Sequence, residues 1–393
     1  MEKRMSNEQA SEQGQEKQNK KQVDRLGTAK ITRLMIEFAI PSIIGLVVNG
    51  LYNIVDSIFM GHGVGPIGLA TATIALPVMI VGMAIAILIG QGGNALTALR
   101  LGAGKHDEAE KVIGNAFTLI IIAAVICMAA LFLFMDPILS FSGVTEETRQ
   151  PARLFLGIIG GAMILQFFGM GFNNFNRTAG DPNRALYTKV AGTVVCIILN
   201  FLFVMVLGWG IAGSAWATVI GQAVSAVLVF WYFVFSPKAP FKLRRRYLKP
   251  EWHFVKSILA MGSAPFVLQL ANAFITFFIN NQLVTLGADN VIGSSGALAA
   301  IGLVGRIAMF AFFPLLGAAM AAQPLFGYNY GAKNYERVKA TFKIVMIWVT
   351  IIGVFFWALI HLIPGPIVML FGVTDELLTF TIGALKVQMF MMP

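Results

Sequence analysis

Charge is scarce in this 393-residue chain: Asp, Glu, Lys and Arg make up 12% of it against 57% hydrophobic residues, a balance that excludes a water-soluble fold. Cysteine is scarcer still. Cys127 and Cys196 both lie inside apolar runs, so their spacing gives neither a disulfide framework nor a metal cluster. Histidine does not make up for this, because His62, His106, His253 and His361 fall singly in or near loops. What is plentiful is apolar. A mean hydropathy of +0.75, with 40 Gly and 32 Phe, points to segments buried in lipid, where a helix closes its own backbone hydrogen bonds. The formal charge of +10 answers to a membrane surface rather than to nucleic acid because of where the cations sit.

Residues 1–33 are polar, rich in Gln, Lys and Glu, and lack the apolar core and cleavage site of a secretory signal; they read as a disordered cytoplasmic tail. Beyond them, charges cut the chain into apolar runs of about 20 residues, the length that spans a bilayer. The runs predict helices over 38–59, onward to 99, over 112–135 and 154–176, and two within 190–237 split by the turn 208–213. Further helices are predicted over 257–286, 298–325 and 344–363, with a tenth from 377. A six-helix lobe (34–235) is thus joined by a basic cytoplasmic linker (236–256) to a second lobe (257–393). With the tail inside, the inner segments carry 8, 3, 3, 7 and 4 Lys and Arg, whereas the outer loops hold Arg149 and Arg153 alone. That asymmetry predicts a cytoplasmic N-terminus. The linker cations Lys242, Arg244, Arg245 and Arg246 are expected to face the anionic inner leaflet.

The two lobes repeat each other. Gly102-Ala103-Gly104-Lys105-His106-Asp107-Glu108 recurs as Gly331-Ala332-Lys333-Asn334-Tyr335-Glu336-Arg337, and Gly143-Val144-Thr145-Glu146-Glu147 as Gly372-Val373-Thr374-Asp375-Glu376, both at an offset of 229. Pro41 has a counterpart in Pro265 at a slightly shorter spacing. Six helices per repeat is an even number, so both lobes enter the membrane in the same direction and are related by a pseudo-two-fold axis along its normal, an arrangement met in transporters. The expected fold is therefore an all-α polytopic membrane protein of two six-helix lobes. Its second lobe is expected to be incomplete, with about nine full helices and part of a tenth.

Several stretches carry a family resemblance. Leu51-Tyr52-Asn53-Ile54-Val55-Asp56-Ser57-Ile58-Phe59-Met60-Gly61 and Gly92-Gly93-Asn94-Ala95 resemble the first two helices of the multidrug and toxic compound extrusion (MATE) family. Arg177-Thr178-Ala179-Gly180-Asp181-Pro182 resembles its loop after helix 4, and Gln323-Pro324-Leu325-Phe326-Gly327-Tyr328-Asn329-Tyr330-Gly331 is similar to the end of helix 8 in the bacterial DinF-like branch. The likeness runs from about Arg33 to the end of the chain. It implies twelve helices in two lobes and the expulsion of cationic amphipathic drugs in exchange for H+ or Na+.

Asp56 carries the functional reading. A carboxylate near the bilayer centre costs about 2.5–3.5 kcal/mol on insertion scales, so it must face a cavity, find a partner or bind a proton or ion, and each of these makes it a switch. Tyr52, one turn earlier on the same face, is placed to hydrogen-bond it. The resemblance adds Asn200 and Thr218 of helices 5 and 6 to this cation site. Asn200 departs from the acid that many DinF-like members have there, which leaves one carboxylate where two would cooperate. Asn173 and Asn174 either line the first-lobe cavity or cap a helix end. Helix 7 offers Gln269, Asn272, Asn280 and Asn281 but no acid, and Arg306 of helix 8 either sets the second lobe's field or is structural.

The expected function is a secondary antiporter of the bacterial inner membrane that exports cationic amphipathic small molecules in exchange for H+ or Na+. It would work as a monomer among lipids, without nucleic acid, cofactor or metal beyond Na+ at Asp56. A membrane-embedded enzyme needs a paired catalytic set that the chain lacks. The alternatives are a lipid-linked precursor flippase or polysaccharide exporter of the same superfamily, which needs a cationic cavity or extra helices, and an inactive truncated remnant.

Overall fold

Long apolar runs leave a chain in lipid one economical solution, a stack of helices. The computed structural model has that form over the residues it describes, 23–142, 144, 146–287, 293–369 and 375–390. The first lobe comprises α1 (Ile31–Gly63), α2 (Pro66–Gly102), α3 (His106–Leu133), α4a (Glu146–Gly161), α4b (Met163–Gly171), α5 (Pro182–Asn200) and α6 (Gly210–Phe235). The second comprises α7 (Trp252–Gly287), α8 (Gly293–Gly331), α9 (Tyr335–Leu362) and α10 (Asp375–Met389). Among the described residues eight helices are long and apolar enough to cross a bilayer, and counting the bent pair Glu146–Gly161 and Met163–Thr178 as one span gives nine. The described residues contain no strand. The tight turn from α1 to α2 is made by Gly65 at φ 82°, a conformation that a side chain would resist, followed by Pro66 at the first helical position.

Two predicted elements differ in shape from expectation. The fourth span is not straight: α4a and α4b meet at 56°. Gly160-Gly161 weakens the helix there, and the Ala162 N–H reaches Ile159 O at 3.1 Å, a tighter bond than the α-helical one. α5 is started by Asp181, whose Oδ1 accepts from the Arg184 N–H at 3.0 Å, and it passes at Asn200 into a π-helical segment, Phe201–Val206.

The tail also stops short of its expected limit. Residues 1–22 lie outside the described residues, but 23–28 are helical, and Val23 and Leu26 are each only 1% exposed. These two apolar residues, one turn apart, pack the segment against the end of α8. Tyr328 Oη donates to Asp24 Oδ1 at 2.9 Å, Asn329 Nδ2 donates to Leu26 O at 3.0 Å, and Arg337 donates to Ala29 O. The linker is likewise held by protein. Glu110 of α3 accepts the Lys242 N–H at 3.2 Å and pairs with Arg244 at 2.8 Å, and Thr118 donates to Leu248 O at 2.6 Å. Arg244 thus has a counter-charge on α3.

The lobes meet where α2 packs on α7 and α8 and where α8 packs on α1, and the repeat is visible in the α2–α8 contact itself. Asn94 Nδ2 donates to Gln323 Oε1 at 3.3 Å across 229 residues, the offset found in the loops. A Cβ on Gly102 would strike Tyr328 O, while one on Gly331 would strike Leu99 O. These pairs are exchanged by the same offset, so the two helix ends cross as a pseudo-two-fold, with backbones too close for any side chain. They cross beside the basic loops, where Arg100, Lys105, Lys333 and Arg337 lie.

Candidate functional site

Polar residues inside the first lobe fall into stripes at helical spacing. α1 presents Asn49, Tyr52 and Asp56, α5 presents Lys189, Thr193, Cys196 and Asn200, and α6 presents Ser214, Thr218, Gln222 and Ser225. Facing one another, the stripes form two layers. In the first, half-buried Asp56 is held from two helices: Asn200 Nδ2 of α5 donates to its Oδ1, and Ser214 Oγ of α6 donates to the same oxygen at 3.1 Å. Asn200 and Ser214 are fully buried. The other amide atom, Asn200 Oδ1, is buried without a hydrogen-bond partner. An orphaned acceptor beside a carboxylate is costly as it stands, and it suits a group that adds a positive centre between two oxygens.

The expected Tyr52–Asp56 hydrogen bond is not formed. Tyr52 Oη instead shares a hydrogen bond with Thr218 Oγ1 at 3.0 Å. Helical side chains lean toward the N-terminus, so the long phenol is carried away from a carboxylate one turn further on. Thr218, also 3.9 Å from Cys196 Sγ, consequently reaches the site through Tyr52 and not by touching Asp56.

The second layer is a cavity of about 130 Å³ bounded by α1, α4b, α5 and α6. Tyr52 and Thr218 form part of its wall, together with Asn49, Gln166, Asn173 and Lys189. Asn173 therefore lines it, while its side chain also ties α4b to α5 by donating to Ala185 O at 3.0 Å and accepting from Thr188 at 3.0 Å. Asn174 does not line this cavity. It accepts from Arg177 Nη1 at 2.8 Å, and Arg177 Nε reaches Ser42 of α1 at 3.1 Å. Gln269 on α7 is half-buried and Arg306 on α8 exposed, and neither lines this cavity; both sit on second-lobe helices, whereas the cavity is enclosed by the first lobe alone. The side chain of Asn280 lies outside the described residues. Sequence reasoning missed Ser214 and Lys189. The signal for both was the stripe: Ser214 precedes Thr218 by one turn, and Lys189 lies three turns before Asn200 although it reads as a loop cation.

A polar site with a carboxylate inside a bundle of apolar helices, in a duplicated scaffold, is an arrangement met in transporters. The MatE family model matches residues 41–202 and 270–393. This chain belongs to the MatE family. Its similarity to the probable multidrug resistance protein YoeA of Bacillus subtilis is 27% identity over 363 residues, covering 88% of this chain and 75% of YoeA. To the multidrug export protein MepA of Staphylococcus haemolyticus it is 24% over 367 residues, 92% of this chain and 78% of MepA. A solved multidrug resistance MATE family transporter of the MOP superfamily, in an outward-facing conformation, superposes with a TM-score of 0.83 at 26% identity, covering 93% of this chain and 79% of that one. As a MatE family member the chain is a multi-pass membrane protein with multidrug-efflux homologues, and its two-lobed, all-helical build agrees with that fold.

Proposed function

We propose that the chain is a secondary antiporter of the bacterial inner membrane, N-terminus cytoplasmic, which exports amphipathic compounds in exchange for H+ or Na+. By resemblance those compounds are cationic. Asp56 takes the ion. The observation that supports this most is the half-buried carboxylate joined to α5 and α6, next to the unpartnered Asn200 Oδ1. A proton on Asp56 Oδ2 would complete a ring of two hydrogen bonds with the Asn200 amide; a sodium ion would be shared by the two oxygens. Either event changes what holds α1, α5 and α6 together, and so biases the lobe between two shapes. In the proposed orientation the α2–α8 crossing lies on the cytoplasmic side, so this shape is closed to the cytoplasm. No resident cofactor, nucleic acid or catalytic step enters the scheme, and a monomer suffices for it.

The test is efflux of a fluorescent cationic dye from vesicles holding the full chain, under an imposed H+ or Na+ gradient. Asp56→Asn should reduce gradient-driven efflux at least about tenfold while the protein remains membrane-inserted. Unchanged efflux would remove Asp56 from the mechanism. One observation favours the rival reading, a flippase or exporter of lipid-linked anionic precursors: the first lobe does have a cationic cavity, because Lys189 lines it.

A further inference from the structure

We propose that the first-lobe cavity is an anion subsite in which Lys189 receives a carboxylate or phosphate group of the transported amphiphile, so that preferred cargo is zwitterionic rather than purely cationic. The inference rests on the transporter reading above and names the substrate class for it.

Lys189 is the one charged residue among the described residues lining the cavity. Its ammonium takes part in no hydrogen bond or ion pair among the described residues: the salt bridges nearest in sequence join Arg184 to Asp181 and Arg153 to Asp136. Two acids of the lobe have partners of their own. Asp56 is held by Asn200 and Ser214, and Asp181 by Arg184. The neighbouring cation, Arg177, is satisfied by the neutral oxygens of Ser42 and Asn174, so it too leaves the field positive.

Lys189 is half-buried, and an ammonium, with three donors and no acceptor, is costly to hold in a partly desolvated wall without a counter-charge. A ligand anion would offset that cost. The remaining wall is suited to one. Gln166 and Gln222 carry amide N–H groups and Thr193 a hydroxyl, each able to turn a donor toward a carboxylate or phosphate oxygen, whereas the Ser225 hydroxyl is given to Thr188 O at 3.0 Å. A bare cation entering the same space would meet a like charge and no carboxylate. Asp56, one layer away behind Tyr52 and Thr218, stays available to the coupling ion, so anion and ion occupy separate sites in one lobe.

Two sources could supply the anion: the cargo itself, or a lipid phosphate that Lys189 reaches by snorkelling. The probes are rhodamine B, which bears a free carboxylate beside its cationic chromophore, and its ethyl ester, which has the cation alone. Binding is followed by fluorescence polarisation to the full chain in nanodiscs of phosphatidylcholine, with and without phosphatidylglycerol. The wild-type protein should prefer rhodamine B over the ester. Lys189→Gln should lower that preference about tenfold, and Lys189→Arg should keep it within about threefold. A preference seen in both lipid mixtures assigns the subsite to cargo; one abolished by phosphatidylglycerol assigns it to lipid phosphate, overturning the cargo proposal. An equal preference in wild type and Lys189→Gln, or a failure of wild type to bind either dye, also overturns it. Polarisation reads equilibrium binding, so loss of gradient-driven efflux with intact Lys189-dependent binding would count against the antiporter reading and leave the subsite standing. Thermal melting of each variant shows whether it is folded, and Lys189→Met provides a second neutral replacement if Lys189→Gln is not.

Discussion

The two lobes share a scaffold and differ in chemistry. What they use on one another is matched: Asn94 with Gln323, and Leu99 and Gly102 with Tyr328 and Gly331, all exchanged by the repeat offset of 229. The carboxylate of the proposed ion site is not matched. At the spacing set by Pro41 and Pro265, Asp56 corresponds in sequence to Asn280. A pseudo-two-fold contact constrains both copies at once, since each residue of the crossing faces its counterpart's neighbourhood. A side chain directed into its own lobe is under no such rule, and one copy is free to hold the ionisable group.

The largest effect should come from erasing that difference. Asp56→Asn gives the first lobe the amide that the second has at the corresponding position, and gradient-driven dye efflux should fall to background. Asn200→Leu, which removes both the donor to Asp56 and the orphaned acceptor, should lower efflux by about tenfold, equivalent to about 1.4 kcal/mol of coupling. Residual efflux unaffected by Asn200→Leu would mean that the amide only packs α5.

Next in size are changes to what the lobes share. Gly102→Ala and Gly331→Ala each force a Cβ onto a carbonyl oxygen of the other lobe, a backbone atom that cannot turn aside. Each should cost about 2–3 kcal/mol and lower the melting temperature in detergent by similar amounts. The double variant should cost less than the sum, because both act on one crossing. A drop with one substitution and none with the other would show that the crossing is not two-fold. Smaller again is the strap at 23–29. Arg337→Ala removes bonds to Leu26 O and Ala29 O, and amide hydrogen exchange across 23–30 should quicken about tenfold, or about 1.4 kcal/mol.

Much of this is legible in the sequence alone. Apolar run length gives the spans, Lys and Arg placement gives a consistent odd-even count, and the loop repeats give the offset that reappears as an actual hydrogen bond between lobes. Asp56 stood out because acids are rare in such runs. Less was legible where the determinant is a local bend or a side-chain direction. The break at Ala162 depends on two glycines in an otherwise continuous apolar stretch. Lys189 reads as a loop cation because positive charge marks the ends of apolar runs, although it recurs at helical spacing with Thr193, Cys196 and Asn200. Val23 and Leu26 are two apolar residues in a polar tail, too few to signal docking without the Tyr328 and Asn329 partners that lie some 300 residues away in sequence.

Tyr52 separates the two layers of the first lobe, and its role can be isolated with a small change. Tyr52→Phe keeps the ring that walls the cavity and removes only the hydroxyl bonded to Thr218. Interhelical hydrogen bonds in membrane bundles contribute about 0.6 kcal/mol on average, so the melting temperature should move by a degree or two at most. Thr218→Val should have an effect of the same size, and the double variant should be no worse than either single one, since both remove one bond. Dye efflux should fall by less than about threefold, because Asp56 keeps Asn200 and Ser214. A loss as large as that of Asp56→Asn would instead place the phenol in direct contact with the carboxylate during transport, in a shape of the lobe where the Tyr52–Thr218 bond is broken.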